Sequence, residues 1–310
     1  MALKLTKGLL TRSSPTTRTV RTIVQLADIE IKSREVLQWN GLHLFHATGS
    51  SCSQKLRIFL NLKNIAWQAH SVDLGGNENY SPWFLGINPR GLVPVLVWDG
   101  AVHIESNDIL TLLEKSFPEL CLIPATSAGD VSRLLKYEDD LHLDLRSLSF
   151  RFVFGRTGSS KSAESMMTYR TAGASTVGGV ADDEKRGQEI DFYERLATDG
   201  ITDAAAKASA AKFRAAYEDL ERRLADAPYF LGTELSVLDI AWFVYTTRLD
   251  LAGYPFAKLH PNVFSWFARL SEQDAFSREV ALPDPARRIW RRTRQNQIEF
   301  GTTLSEVAGL

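Results

Sequence analysis

From Leu42 onward, short apolar runs alternate with stretches of helical periodicity. "LHLF" (42–45) reads as a strand, and the stretch after it carries Leu56, Phe59, Leu60 and Leu62 on and around one helical face. "WQAHSVDL" (67–74) predicts a second strand. Polar "GGNENY" (75–80) follows as a loop. Ser81 ahead of Pro82 then predicts a short helix that turns Trp83, Phe84 and Ile87 inward. "VPVLVW" and "AVHI" read as two strands joined by Asp99-Gly100, a strong hairpin signal. Pro94 sits in that apolar run, where a trans proline would break the ladder, so it belongs at an edge, a bulge or a special peptide bond. "ESNDILTLLEKSF" predicts a helix capped by Ser106 and ended by Pro118. The order βαβ, then αββα, gives a small mixed sheet with helices on both faces.

Beyond "CLIPATSAGD" the strand signal stops. "VSRLLKYEDDLHLDLRSLSFRFVF" and "DAAAKASAAKFRAAYEDLERRLADA" read as long helices, and "PNVFSWFARLSE" as a further amphipathic one. "SVLDIAWFVYTTRL" opens with Ser236 and Asp239 at capping-box spacing, Asp standing in for the usual Glu or Gln. A Gly/Ser/Thr/Ala-rich stretch at 154–182 interrupts the helices and reads as a loop, either a functional lid or disordered. The expected organisation is a basic arm or targeting segment at 1–40, an α/β domain at 41–125, an all-helical domain at 126–285 and a basic tail at 286–310.

The 310 residues suffice for two domains, and a formal net charge of −1 makes no electrostatic case for nucleic acid. No apolar run approaches the ~20 residues of a membrane span. Cys52 and Cys121 lie far apart with no CxxC spacing, which argues against a disulfide framework or a structural zinc and fits a reducing compartment. The first residues hold Lys4, Lys7, Arg12, Arg18 and Arg21, with no acid before Asp28. That is the composition of an organelle transit peptide and equally of a basic bacterial arm. The expected location is cytoplasmic, with a mitochondrial or other organellar one as the alternative.

Candidate chemistry concentrates in "ATGSSCSQK". Ser50, Ser51 and Cys52 stand at a strand-to-helix corner, where free N–H groups and the macrodipole favour a thiolate, the chain's own or a ligand's. The same residues also suit a plain role, two serines capping a helix and a cysteine packing as a small hydrophobe. His43 and His46 point to opposite faces of a strand with no acid in their pattern, so no metal site is expected. "DDLHLDLR" (139–146) reads either as a pocket lining or, as is usual for a charged helix stripe, as a solvated face; "ARRIWRRTR" (286–294) reads as a basic helix face, with contact to an acidic surface as the lesser alternative.

"SSCSQKLRIFLNLKNI", "INPRGLVPVL" and "HIESNDILTLLE" together resemble the glutathione-binding, thioredoxin-like domain of the cytosolic glutathione transferase superfamily. The Ser-Ser-Cys corner is similar to that of the zeta type, the maleylacetoacetate isomerases. "YFLGTELSVLDIAWF" and "HPNVFSWFARLSE" resemble the superfamily's helical domain. The resemblance implies a cis peptide at Pro94, with the Val93 backbone pairing with the cysteinyl backbone of glutathione. It implies that Glu105 and Ser106 hold the γ-glutamyl end, that the corner residues face the sulfur, and that a polar residue near Asn79 or Tyr80 meets the glycyl arm. It also implies glutathione as co-substrate, a small-molecule electrophile as partner, a homodimer and a role in detoxification. The basic arm and the 154–182 stretch depart from the zeta pattern. A long helical-domain insertion resembles that of some bacterial β-etherase-like and reductive-dehalogenase-like members.

The expected mechanism is activation of the glutathione thiolate by Ser50 or Ser51, lowering a thiol pKa of ~8.5 toward neutrality. Cys52 alternatively takes glutathione from a conjugate as a mixed disulfide, the step that reductive chemistry requires. The rival expectation is a non-catalytic member of the fold that binds ligands or partners.

Overall fold

In the computed structural model, residues 25–155, 161–172, 176–181 and 183–310 are described. Four strands form one mixed sheet: β1 (Leu42–His46), β2 (Gln68–Ser71), β3 (Val95–Trp98) and β4 (Ala101–His103), ordered β2-β1-β3-β4. β2 runs parallel to β1, with Leu44 opposite Ala69, while β3 runs antiparallel to both of its neighbours, β1 and β4. Asp99 and Gly100, at φ 47° and 79°, make the hairpin the dipeptide predicts. α1 (Ser51–Leu62) crosses from β1 to β2, α2 (Pro82–Leu85) precedes β3, and α3 (Ser106–Ser116) follows β4. Leu44, Leu56, Phe59 and Leu96 pack on one face of the sheet and Phe45, Val95, Val97 and Val102 on the other, the alternation a two-sided sheet requires. Ser81 caps α2 through the Phe84 N–H as expected, but Trp83 is exposed and Leu85 takes the inward position.

Helices build the rest: α4 (Ala128–Asp140), α5 (His142–Ser149), α6 (Ala163–Ala172), α7 (Glu184–Thr198), α8 (Asp203–Arg223), α9 (Val237–Ala252), α10 (Phe256–Leu259), α11 (Pro261–Ser271), α12 (Asp274–Val280), α13 (Asp284–Glu299) and α14 (Leu304–Ala308). α9 is buried almost throughout. Its capping box forms, with the Asp239 carboxylate accepting from the Ser236 N–H at 2.9 Å and also from Trp266 Nε1 at 3.0 Å. Burial pushes the Asp239 pKa up to about 6 against the pull of these donors.

Four expectations change. Residues 25–40, assigned to an arm, pack on the sheet: Leu26 donates its N–H to Val102, and Leu26, Ile31 and Val36 are buried. The basic N-terminal stretch up to residue 24 lies outside the described residues. The 154–182 stretch is not all loop, because α6 forms within it. The single helix expected over 131–154 breaks at Leu141 into α4 and α5 and ends in a π turn at Phe150–Phe154. The basic tail is also part of the body, since Trp290 Nε1 donates to the Leu251 carbonyl at 2.8 Å and Leu304 is fully buried.

Candidate functional site

A cavity of about 560 Å³ opens between the sheet domain and the helices. Ser50, Ser51, Cys52, Asn79, Val93, Pro94, Glu105 and Ser106 all line it. The helical domain supplies the opposite wall, with Leu145, Phe150, Phe154 and Tyr193 as its apolar part.

The corner begins at Ser50, whose hydroxyl accepts from the Ser53 N–H at 3.3 Å and caps α1. Ser51 and Cys52 are the first two helical residues, and among the described residues their N–H groups have no partner. The corner therefore presents free donors to an anion. Cys52 is no ready thiolate itself. Burial pushes its thiol up, as do Glu138 and Asp139, against Lys55 and a hydrogen bond from Ser106. Its Sγ lies 3.8 Å from His142 Nδ1, and His142 also meets the Tyr245 hydroxyl at 3.3 Å. Beneath the corner, Lys55 of α1 donates to Asn107 at 2.7 Å and to Glu138 of α4 at 3.0 Å, with both charged side chains buried. Burial is the largest influence and opposes the Lys55 charge, but Glu138, Cys52 and Asp139 together outweigh it and the pKa rises.

The Val93–Pro94 peptide is cis, and the Val93 N–H and C=O make no hydrogen bond among the described residues. They leave an unpaired stretch of backbone at the cavity that an extended peptide could join as a strand. Glu105 occupies the N-cap position of α3 at φ 71°, so Ser106 is the first helical residue and not the cap that its sequence suggests. This frees the Ser106 hydroxyl for Cys52. Both Glu105 oxygens are engaged, one by Arg90 and one by Lys185 of α7. Arg90 is held in turn by Asp183 at 2.9 Å, and Lys185 reaches Asp139 at 3.1 Å. Asn79 donates to the Gly91 carbonyl at 2.7 Å, while its Oδ1 is buried without a partner. The neighbouring Tyr80 stacks on Tyr169 of α6, with ring centroids 4.2 Å apart, and does not line the cavity.

His142 and Arg146, from the stripe that the sequence offers as a possible pocket lining, complete the wall together with Lys161, Lys185, Glu189 and Arg248, which local sequence signals do not mark. The "DDLHLDLR" stripe is not a solvated face. α7 covers it, and Arg146 pairs with Glu189 at 2.6 Å. Arg248 is buried and donates to the Gly49 carbonyl at 2.6 Å; burial and the nearby charge of Arg57 lower its pKa to about 10. No cluster of metal-ligating side chains occurs among the described residues.

Residues 49–116 match the N-terminal domain of glutathione S-transferase, and residues 203–269 match its C-terminal domain. α6 and α7 fall between the two matches. A zeta-class glutathione S-transferase from Euphorbia esula is 43% identical over 84 residues, which is 27% of this chain and 37% of that protein. The first relatives of this kind are thus matched over about two-fifths of their own length. A tetrachloro-p-hydroquinone reductive dehalogenase from Sphingobium chlorophenolicum is 23% identical over 253 residues, spanning 78% of this chain and 96% of its own. In fold, the chain resembles a β-etherase from Sphingobium sp. strain SYK-6, with a TM-score of 0.59 and 23% identity over 77% of this chain and 98% of the other. With both domain matches in order around one cavity that gathers the corner, the cis proline and the acid–serine pair, the chain belongs to the glutathione S-transferase superfamily.

Proposed function

We propose that this protein is a glutathione-dependent transferase acting on a hydrophobic or aromatic electrophile. The carrying observation is one shared cavity, where eight residues expected to handle glutathione face the aromatic residues of the helical domain. The γ-glutamyl carboxylate meets the unpaired N–H groups at the start of α3 and the ammonium meets Glu105. The cysteinyl backbone pairs with Val93, and the sulfur arrives at the α1 corner. There a serine hydroxyl donates to the thiolate while the free N–H groups of Ser51 and Cys52 add positive potential. The thiol proton leaves to solvent, and GS⁻ attacks the electrophile held against Phe150, Phe154 and Tyr193. Calorimetric titration with glutathione tests the first half. Absence of binding at millimolar concentration overturns the reading in favour of a non-catalytic member of the fold. A substrate screen with mass detection of glutathione, its disulfide and its conjugates tests the second half. The homodimer implied by resemblance is likewise a proposal, checked by light scattering.

One observation favours a reductive variant of this chemistry: Cys52 Sγ lines the same cavity beside His142. In that variant the Cys52 thiolate attacks the sulfur of a glutathionyl conjugate. The S–S bond forms, the carbon–sulfur bond breaks, and the carbon takes a proton. A second glutathione then releases glutathione disulfide from Cys52. Cys52→Ala distinguishes the two schemes. Retained turnover supports addition, elimination or isomerisation, while a trapped glutathionyl product supports reduction.

A further inference from the structure

Five cationic side chains wall the cavity: Lys136, Arg146, Lys161, Lys185 and Arg248. Three are already neutralised, Lys136 by Asp140 at 2.6 Å, Arg146 by Glu189 at 2.6 Å, and Lys185 by Glu105 and Asp139. Among the described residues, Lys161 and Arg248 have no carboxylate at ion-pair distance. Arg248 spends its guanidinium on the Gly49 carbonyl and on Gln54 Oε1 at 3.0 Å. Among the described residues Lys161 donates once, to the Leu74 carbonyl at 2.7 Å, and its Nζ sits 4.9 Å from the Tyr80 ring centroid. An ammonium has three protons, so this one retains donors for the cavity. Burial above all, with the charge of Arg146 adding to it, holds its pKa down to about 8 against the opposing pull of Glu189 and Asp73.

Glutathione carries two carboxylates. The start of α3 accounts for one, and the other, on the glycyl arm, needs its own cation. The wall expected to meet that arm comes from the connection between β2 and α2, residues 72–81, where the only charged residues are Asp73 and Glu78. Both have the wrong sign. The helical domain brings a cation to this wall, since Lys161 binds Leu74 and lies over Tyr80, next to Asn79 with its unpartnered Oδ1. We propose that Lys161 binds the glycyl carboxylate of glutathione, so that the inserted segment completes a site the sheet domain leaves without its cation. This rests on the glutathione reading above.

The test is calorimetric titration of the full chain, as wild type, Lys161→Met and Lys161→Arg, with glutathione and with γ-glutamylcysteine, which lacks the glycyl arm. A charge-assisted contact of this kind corresponds to roughly a tenfold to hundredfold difference in affinity. Wild type should therefore prefer glutathione by at least about tenfold. Lys161→Met should abolish the preference by weakening glutathione alone, and Lys161→Arg should restore much of it. Equal weakening of both ligands, or no change in either, overturns the assignment of Lys161 while the glutathione reading stands. If wild type bound neither ligand, the glutathione reading itself would fall, and this inference with it.

Discussion

Arg146 Nη2 lies 3.3 Å from Nε2 of His142, and a guanidinium can only donate. Nε2 must then accept, which puts the proton of the neutral ring on Nδ1, the atom facing Cys52 Sγ and the Tyr245 hydroxyl. Burial first, and the charge of Arg146 second, hold the His142 pKa down to about 4. His142 is thus a fixed donor at the sulfur corner and not a base.

Nitrogen NMR of the histidines should find His142 as the Nδ1–H tautomer, without titration above about pH 5. The sign for stability follows from the depressed pKa. Between about pH 6.5 and pH 4 the unfolded chain takes up a proton that the folded chain refuses. Stability is therefore full above that window and falls with pH through it, by on the order of 3 kcal/mol. His142→Gln should flatten this acid limb in urea melts taken across the pH range. An unchanged limb would assign the acid sensitivity elsewhere.

Ser50 caps α1 by accepting a hydrogen bond, which leaves its own proton free to donate to a bound thiolate. Ser50→Ala should cost about 1 kcal/mol of stability from the lost cap and raise the thiol pKa of bound glutathione. Ser50→Gly should keep most of the cap while raising the thiol pKa equally. Thiolate absorbance against pH, alongside thermal melts, separates the two effects. A larger pKa rise for Ser51→Ala would move the primary role to Ser51.

The parts of this site legible in the sequence are those fixed by a few adjacent residues. The Ser50–Cys52 corner, the bond before Pro94 and the Glu105–Ser106 start of α3 each carry their own turn chemistry. Even there Ser106 misleads, because Glu105 at positive φ takes the N-cap position. Long-range placement is what the sequence hides. The stripe from Asp139 to Arg146 has a surface composition, and only the arrival of Lys185 and Glu189 on α7 turns it into a cavity wall. The Gly/Ser/Thr-rich stretch reads as loop because its contacts are distant too, with Tyr169 buried against Tyr80.

That burial makes Tyr169 the anchor of the inserted segment. Its ring stacks on Tyr80, and its hydroxyl donates to the Arg90 carbonyl at 2.7 Å, beside the Arg90–Glu105 pair. Tyr169→Phe should cost about 1 kcal/mol for the hydrogen bond. Tyr169→Ala should cost about 3–5 kcal/mol by emptying a large buried site and should speed proteolysis between α5 and α7. Selectivity toward the electrophile should change in the Ala variant. If proteolysis and selectivity both matched wild type, the segment would have no part in closing the cavity.

Lys55 and Glu138 couple the two domains directly under the corner, one from α1 and the other from α4, with Asn107 of α3 as third member. Neither charge touches solvent, so removing one strands the other. Lys55→Met leaves a buried carboxylate and should cost about 3–5 kcal/mol, whereas Lys55→Met with Glu138→Leu removes both charges and should recover most of that. Lys55 is also the nearby charge that favours the Cys52 thiolate. The double variant loses this pull together with the opposing push of Glu138, so its Cys52 pKa should move less than that of Lys55→Met, where only the pull is lost. Urea melts give the first comparison, and the pH dependence of Cys52 alkylation in a Cys121→Ser background gives the second. Were Lys55→Met as stable as wild type, the pair would not be a buried link between the domains, and the low-dielectric account of the corner would fail with it.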